Sequence, residues 1–334
     1  MKYIKKNAKK YIVMIIIVIS MLCGCEKNVT NNTINGKWVP KKDITIICGY
    51  GAGGSTDLFA RIIAEQLEKR WNVNVIVKNV EGGSGTVGTT ECYYSSADGY
   101  TVFISNGATI TQSKLGEVEW NYDEFTNIAK VIDEDEILCV NGDSNITSLD
   151  DLIRLCNEKP GQISIGVAGV GGFTYLAAQR FIKEFELDVK IVAYNSGSEA
   201  VTAVMGGFVD FCIQQPAEVY SGISSGRLKG IAIMSEKRHN NEVLADIPTM
   251  IEQGYDFQTY QWRGISAPTN LPINVVEEWS AVIDEICSDE EFINKVDEIL
   301  YARVNLLKLN DMSKFMDDEN QWIKNVMKDL DMLE

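Results

Sequence analysis

The stretch ITIICGYGAGGSTD, residues 44–57, decides how the chain is read. Ile44 to Cys48 is a β-branched run of strand length, and it breaks on Gly49, Gly51, Gly53 and Gly54. Ser55 to Arg70 follows, with Leu58, Phe59, Ile62, Ile63 and Leu67 spaced along one helix face. Strands that end in glycine and feed a helix are where α/β proteins bind ligands. Glycine lets the backbone approach a ligand closely, Ser55 or Thr56 can cap the helix, and free N–H groups with the helix dipole favour an anion. The candidate ligand contacts are therefore Tyr50, Gly51, Ala52, Gly53, Ser55, Thr56 and Asp57. For Asp57 two roles stay open: contact with a ligand amine or ligand-bound water, or support of the first helical turn.

Working outward, Val73 to Val77 reads as a second strand and Tyr100 to Ser105 as a third, after the Asp98-Gly99 turn. A block of the same type opens at Ser148, whose hydroxyl and the acids Asp150 and Asp151 suit a helix start. Strands over Gln162 to Val167, Lys190 to Val192, Val209 to Ile213 and Gly230 to Met234 alternate with helices over Thr174 to Phe185 and Glu199 to Met205. Asn106-Gly107-Ala108-Thr109 and Gly169 to Thr174 repeat the strand–glycine–helix signature. The pattern implies largely parallel sheets covered by helices, in two α/β domains followed by a mostly helical end.

Catalytic readings lack their residues. Gly49 to Gly54 satisfies G-x-G-x-x-G, but Lys78, Asn79 and Val80 stand where a dinucleotide site needs an acid after the second strand. His239 is the only histidine, in a polar run expected to be solvated surface, and no nucleophile elbow accompanies it. Glu134 and Asp135 read as a solvated charged face. Cys48, Cys92, Cys139, Cys156, Cys212 and Cys287 form no C-x-x-C and no zinc spacing, so neither metal nor cofactor is implied.

The beginning of the chain points outside the cytoplasm. Lys2, Lys5, Lys6, Lys9 and Lys10 precede an apolar run, Ile12 to Leu22, which spans about 16 Å as a helix and is too short for the roughly 30 Å hydrocarbon core. This is a secretory signal over residues 1–24. Leu22-Cys23-Gly24-Cys25 resembles a bacterial lipobox, which implies cleavage before Cys25 and lipidation of that cysteine. Residues 25–39 then form a polar tether, with the fold starting near Pro40. The net charge of −16 becomes about −21 without the signal lysines (26 basic against 47 acidic residues), which argues against nucleic acid as a partner. So acidic a protein can still hold a carboxylate if backbone dipoles supply the positive potential.

Several motifs in order resemble one family. Ile44 to Arg61 (ITIICGYGAGGSTDLFAR), Val80 to Gly88 (VEGGSGTVG) and Ala97 to Val102 (ADGYTV) look like the receptors of tripartite tricarboxylate transporters, the TctC or Bug family. Pro160-Gly161, Gly166 to Thr174, Tyr194 to Gly197, Val204 to Phe211 (VMGGFVDF), Gly226 to Lys229 and Asp246 to Thr249 continue the resemblance. It implies a type II periplasmic-binding-protein fold: two α/β domains joined by a two-strand hinge near Ile128 to Val140 and Gln258 to Ser266, with the ligand cleft between them. Domain 1 is then residues 40–132 plus 260–334, with the C-terminal helices packed on it, and domain 2 residues 133–259. The resemblance further implies a binding protein rather than an enzyme. A small di- or tricarboxylate or related acid is held by backbone amides of loops from both domains and passed to membrane transporter subunits.

Carried onto this chain, the loops add Ser105, Asn106, Gly107, Thr109, Gly169, Gly171, Gly172, Thr174, Tyr194 and Gln214 to the candidate contacts. Gln214-Gln215 depart from a family position that is often acidic or small, which bears on the far end of the ligand. Trp262 either covers the site or lies in the core. Gly53 and Gly172 are expected where backbone meets ligand. A receptor feeding a membrane sensor kinase would share this fold and this site.

Overall fold

The computed structural model of the protein describes residues 33–34 and 37–333 apart from Glu117; the signal segment, Cys25 and most of the tether lie outside them. A two-residue hairpin, β1 (Thr33–Ile34) with β2 (Lys37–Trp38), comes first. Ordered packing thus begins before Pro40, because the Trp38 ring is buried 5.7 Å from Trp71 and 5.4 Å from Tyr100.

The first half of the chain holds β3 (Ile44–Cys48), α1 (Ser55–Trp71), β4 (Val75–Asn79), α2 (Thr86–Tyr93), β5 (Thr101–Ser105) and α3 (Gly107–Leu115); the three strands and α1 stand where the sequence pattern puts them, and α2 is a helix that pattern did not show. Phe59, Ile63 and Leu67 bury one face of α1, and Asn72 ends it in the left-handed conformation that asparagine tolerates. The long β6 (Thr126–Asp135) and β7 (Ile137–Asn141) follow, separated by Glu136 alone.

The second half holds α4 (Leu149–Glu158), β8 (Ile163–Ala168), α5 (Phe173–Glu184), β9 (Val189–Tyr194), α6 (Gly197–Met205), β10 (Phe211–Gln214), α7 (Pro216–Ser224) and β11 (Leu228–Ile233). The chain then returns through β12 (Tyr260–Ala267), α8 (Ile273–Cys287), α9 (Glu290–Lys295), β13 (Arg303–Lys308) and α10 (Leu309–Asp329).

Two sheets result, ordered β13-β6-β12-β5-β3-β4 and β11-β7-β10-β8-β9. They are less parallel than the sequence pattern suggests. β3 runs parallel to β4 and β5, and β8 to β9 and β10. The remaining pairings are antiparallel, because β6, β7 and β12 carry the chain between the halves and come back against it. One crossing lies at Glu136; at the other, Thr259 N–H donates to Met234 O, and Met234 N–H to Glu136 O, at 3.1 and 2.9 Å. The C-terminal helices return to the first sheet. Trp279 on α8 is wholly buried and donates to Gly99 O at 3.1 Å, while Met312, Met316 and Ile323 on α10 pack with Ile110 and Trp262.

The charged run at the first crossing is not solvated. Glu134, Asp135 and Glu136 are all buried; Glu134 is ion-paired with Arg263, and Asp135 accepts two hydrogen bonds from Arg303 at 2.7 and 2.9 Å. A strand that joins two domains lies under both, so its charges must find partners inside. His239 also differs from expectation. It is half-buried, its Nδ1 accepts from Asn241 N–H at 3.0 Å, and its Nε2 donates to Tyr301 O at 2.9 Å. Tyr301 stacks on Tyr220 at 4.3 Å, so this contact ties the second half to the C-terminal return. Trp262 belongs to the core, with its Nε1 donating to Glu319 at 3.0 Å. The six described cysteines are free and buried. Among the described residues, no helix is long and apolar enough to cross a membrane.

Candidate functional site

The glycine loops of both halves face each other across one cleft. Its centre is a cavity of about 20 Å³ lined by Tyr50, Gly54 and Thr56 from the first half and Thr174, Gly197 and Glu218 from the second, with Gln261 and Arg263 from β12. The N-termini of α1, α5 and α6 therefore converge there. Gly54 and Gly172, ahead of α1 and α5, place no side chain on the amides that follow. The N-terminus of α3 opens on a second small cavity, where Asn106, Ala108 and Thr109 meet Tyr50, Ser84 and Gln112.

The halves touch. Ser84 Oγ donates to Val170 O at 2.6 Å, Gln112 Nε2 to the same oxygen at 3.0 Å, and Ser198 Oγ to Gly53 O at 3.2 Å. Gly169, at φ +82°, comes so close to Ser84 that a Cβ there would lie 2.1 Å from its hydroxyl. About 20 Å³ holds roughly one water. In this arrangement the central cavity is too small for an organic acid.

Each candidate residue has a definite place. Asp57 is spent on its own loop. Its Oδ2 accepts from Gly53 N–H and Arg61 Nε at 2.9 Å, and its Oδ1 from Asn79 at 2.9 Å. Although burial alone would raise it, the Arg61, Gly53 and Asn79 contacts hold its carboxyl below the ordinary range. Tyr50 donates to Ser84 O at 3.0 Å, joining the first two glycine loops, and burial pushes its hydroxyl up to about 12. Ser55 and Thr56 are buried and Thr56 lines the cavity, whereas Ala52 and Gly53 are exposed and lie outside its lining, and Gly51 lies between Ser196 and Glu81.

Ser105 is turned into the first sheet, where Ser266 donates to it at 2.8 Å, and Asn106 Oδ1 caps Ala108 N–H at 2.9 Å. Gly107 packs on Phe173 across the cleft, and Thr109 lines the second cavity. Thr174 Oγ1 accepts from Ala168 N–H at 2.9 Å, closing the loop that holds Gly169, Gly171 and Gly172. Tyr194 stands at the rim, between openings of about 530 and 630 Å³ on its two sides. Gln214, at the end of β10, is wholly buried with neither amide atom hydrogen-bonded.

Gly53 and Gly172 turn out to be constrained by their own loops. Gly53 has φ +81° with nothing within 4 Å of an added Cβ, so conformation restricts it rather than space. A Cβ at Gly172 would lie 2.5 Å from Ala168 O, backbone of the same loop.

Of the charged residues of the cleft, the sequence reading put Glu134 on a solvated face and did not single out Arg263, Glu218 or Glu136. Glu134 accepts from Ser55 Oγ and is ion-paired with Arg263, whose Nε donates to Thr56 Oγ1 at 3.2 Å. Burial pushes Arg263 downward. Glu218 reaches across the cleft, and its Oε1 accepts from Ser55 N–H at 3.1 Å. Burial pushes Glu218 up to about 7, with the Ser55 amide pulling the other way. Glu136, beside Gln215, is pushed up to about 8 by burial, against the pull of Arg180. Glu218 sits in the first turn of α7, where an acid reads as an ordinary dipole match. The run Val131-Ile132-Asp133-Glu134-Asp135-Glu136-Ile137-Leu138, free of glycine and proline, was the available sign that these acids lie in strand.

A pH dependence follows. The folded protein holds more protons than the unfolded chain between about 4.5 and 8 at Glu136, and between about 4.5 and 7 at Glu218 and at Glu319, also raised by burial. Stability therefore falls as pH rises through that window. Asp151, held near 2 chiefly by Thr147, and Glu291, held near 2 by Lys69 and Lys295, oppose this only below the ordinary carboxyl range. The melting temperature of ligand-free protein is expected to be about 5 °C higher near pH 5.5 than near pH 8. A flat or opposite profile in a thermal melt series contradicts this.

Two α/β domains linked by crossing strands, with helix N-termini of both facing one cleft, define a solute-binding protein of the periplasmic type. The chain belongs to the TctC family: the model of the tripartite tricarboxylate transporter family receptor matches residues 59–332. It is 29% identical over 242 residues to Protein BugT of Bordetella pertussis, covering 71% of this chain and 74% of that one. Among solved structures, the periplasmic binding protein BugD superposes with a TM-score of 0.81 at 24% identity, over 88% of this chain and 99% of that one. An R. palustris protein solved with adipate gives 0.82 at 23%, over 87% and 98%. MatC from Rhodopseudomonas palustris, with bound malate, gives 0.75 at 21%, over 88% and 100%. These likenesses establish the fold; the family is one of binding receptors, not enzymes.

Proposed function

We propose that this chain is an extracytoplasmic receptor that captures a small organic acid in the cleft and delivers it to a membrane transporter of the tripartite tricarboxylate type. The observation that carries this reading is the convergence of the α1, α5 and α6 N-termini on one small cavity between the halves. Their amides and dipoles supply positive potential without lysine, which suits an anion in a protein of net charge −16. The adipate and malate held by two proteins of the same fold support the ligand class. The contacts proposed are backbone amides at the starts of the four helices that follow Gly54, Asn106, Gly172 and Ser196, with Tyr50, Thr109 and Thr174 as flanking hydroxyls. Closure around the acid is the state a transporter would recognise.

The signal at residues 1–24 and the lipobox-like Leu22 to Cys25 support export and anchoring through a lipid on Cys25. A diacyl group, at about 0.8 kcal/mol per buried CH₂, holds a protein at the outer face of a membrane without a spanning helix. The test is a thermal-shift panel on the chain from Asn28 onward, with di- and tricarboxylates, acidic amino acids, aromatic acids and neutral sugars. An acid at 100 times its dissociation constant adds about 2.7 kcal/mol of stability. A shift with one acid class is the expected result; shifts with sugars alone would contradict the reading.

A further inference from the structure

Cys139 on β7 and Cys212 on β10 stand directly opposite each other. The two strands pair antiparallel, with Phe211 facing Val140, Cys212 facing Cys139 and Ile213 facing Leu138. Residues opposed in this way share a face of the sheet, with Cα atoms about 4.5–5.5 Å apart. A disulfide bridges Cα atoms about 4.4–6.8 Å apart, so the register places the two thiols within bridging reach. Both side chains are 0% exposed, and both pack among Val201 and Val204 of α6 and Val219 of α7. Burial is the larger cause pushing the Cys139 thiol well above its ordinary value, and the neighbouring Cys212 adds to it.

The other four described cysteines are not opposed in this way. Cys48 on β3 faces Asn79, and Cys92, Cys156 and Cys287 lie on α2, α4 and α8. Among the described residues no group of histidine, cysteine and acid side chains could hold a metal ion, so the two opposed thiols are left with each other. Their place in the fold gives a bond between them a consequence. β7 leaves the first crossing at Glu136, and β10 runs on through Gln214 into α7, which brings Glu218 to the cleft. A link from β7 to β10 ties that crossing to the sheet beneath α6 and α7.

We propose that Cys139 and Cys212 form a cross-strand disulfide in the exported protein. The inference goes beyond the receptor reading and uses only its extracytoplasmic location, where disulfides persist. Two S–H bonds break and one S–S bond forms. A disulfide-carrying oxidoreductase of that compartment accepts the two electrons and both protons, and becomes a dithiol. Both thiols are covered once β10 lies against β7, so the exchange takes place on the folding chain, before the pair is buried. A cross-link between residues far apart in sequence then stabilises mainly by restricting the unfolded chain.

The experiment is a peptide map. The full chain is unfolded, refolded in a mixture of oxidised and reduced glutathione, and alkylated under denaturing conditions without reductant. Mass spectrometry is expected to find the peptides of Cys139 and Cys212 joined, and Cys48, Cys92, Cys156 and Cys287 alkylated. Dithiothreitol is expected to lower the melting temperature of the refolded protein by about 10 °C and to leave that of Cys212→Ala unmoved. Cys139 and Cys212 both alkylated in the unreduced map would overturn the proposal. So would a reductant effect of the same size in Cys212→Ala, and if that variant does not fold the wild-type map alone decides. Acid binding is titrated on the same refolded protein. A missing disulfide with acid binding intact removes this inference alone, whereas a disulfide with no acid bound removes the receptor reading and leaves this one standing.

Discussion

Arg263→Met is expected to lower the unfolding free energy by about 3–5 kcal/mol, measured by urea titration of the ligand-free protein. Arg263 is 1% exposed and Glu134 is 0% exposed. Glu134 also accepts from Ser55 Oγ, and Arg263 donates to Thr56, so the pair fastens the start of α1 to β6 and β12. Removing the arginine leaves a carboxylate in a site built to exclude water, which costs far more than the pair itself contributes. The double variant Arg263→Met with Glu134→Gln removes the stranded charge and is expected to recover part of the loss. If Arg263→Met stays within about 1 kcal/mol of wild type, the pair is not the anchor described.

Gly197→Val is expected to weaken acid binding roughly 10- to 100-fold while leaving α6 folded. The backbone at Gly197 is ordinary for an L residue, since its φ lies outside the left-handed region. The side chain is excluded by what surrounds it: Glu218 and Gln214 stand where a Cβ would go. All three residues belong to the second half, so the clash is present whether the halves are open or closed; overpacking of about 1–3 kcal/mol displaces Glu218 from the cavity lining and deforms the seat. Calorimetric titration of the variant against wild type reads the effect. Unchanged affinity would remove Gly197 from the site.

The sequence disclosed the parts of the site that are made of backbone. Gly49 to Asp57, Asn106 to Thr109 and Gly169 to Thr174 are legible because a glycine run between a strand and a helix permits few other geometries. The same reasoning located β3, β5, β8 and the helices after them, since hydrophobic period changes at those loops. Two kinds of information were out of reach. The antiparallel return of β12 onto β5 and β6 joins residues more than 120 positions apart, and nothing local in Tyr260 to Ala267 announces its partners. The buried charges were misread for a related reason. Glu134 and Glu136 look like a solvated face until the strands that cover them are known, and Arg263 follows a tryptophan in a short strand with no motif around it. Asp57, by contrast, carried two open roles, and its bonds to Gly53, Arg61 and Asn79 place it in support of the loop.

The measurement that bears most directly on the central claim is amide hydrogen exchange with and without the acid that gives the largest thermal shift. The account predicts new protection at the N-termini of the helices beginning at Ser55, Gly107, Phe173 and Gly197, from both domains at once. Protection confined to one domain would contradict it, as would protection at the separate cavity of about 500 Å³ beside His239 and Arg303.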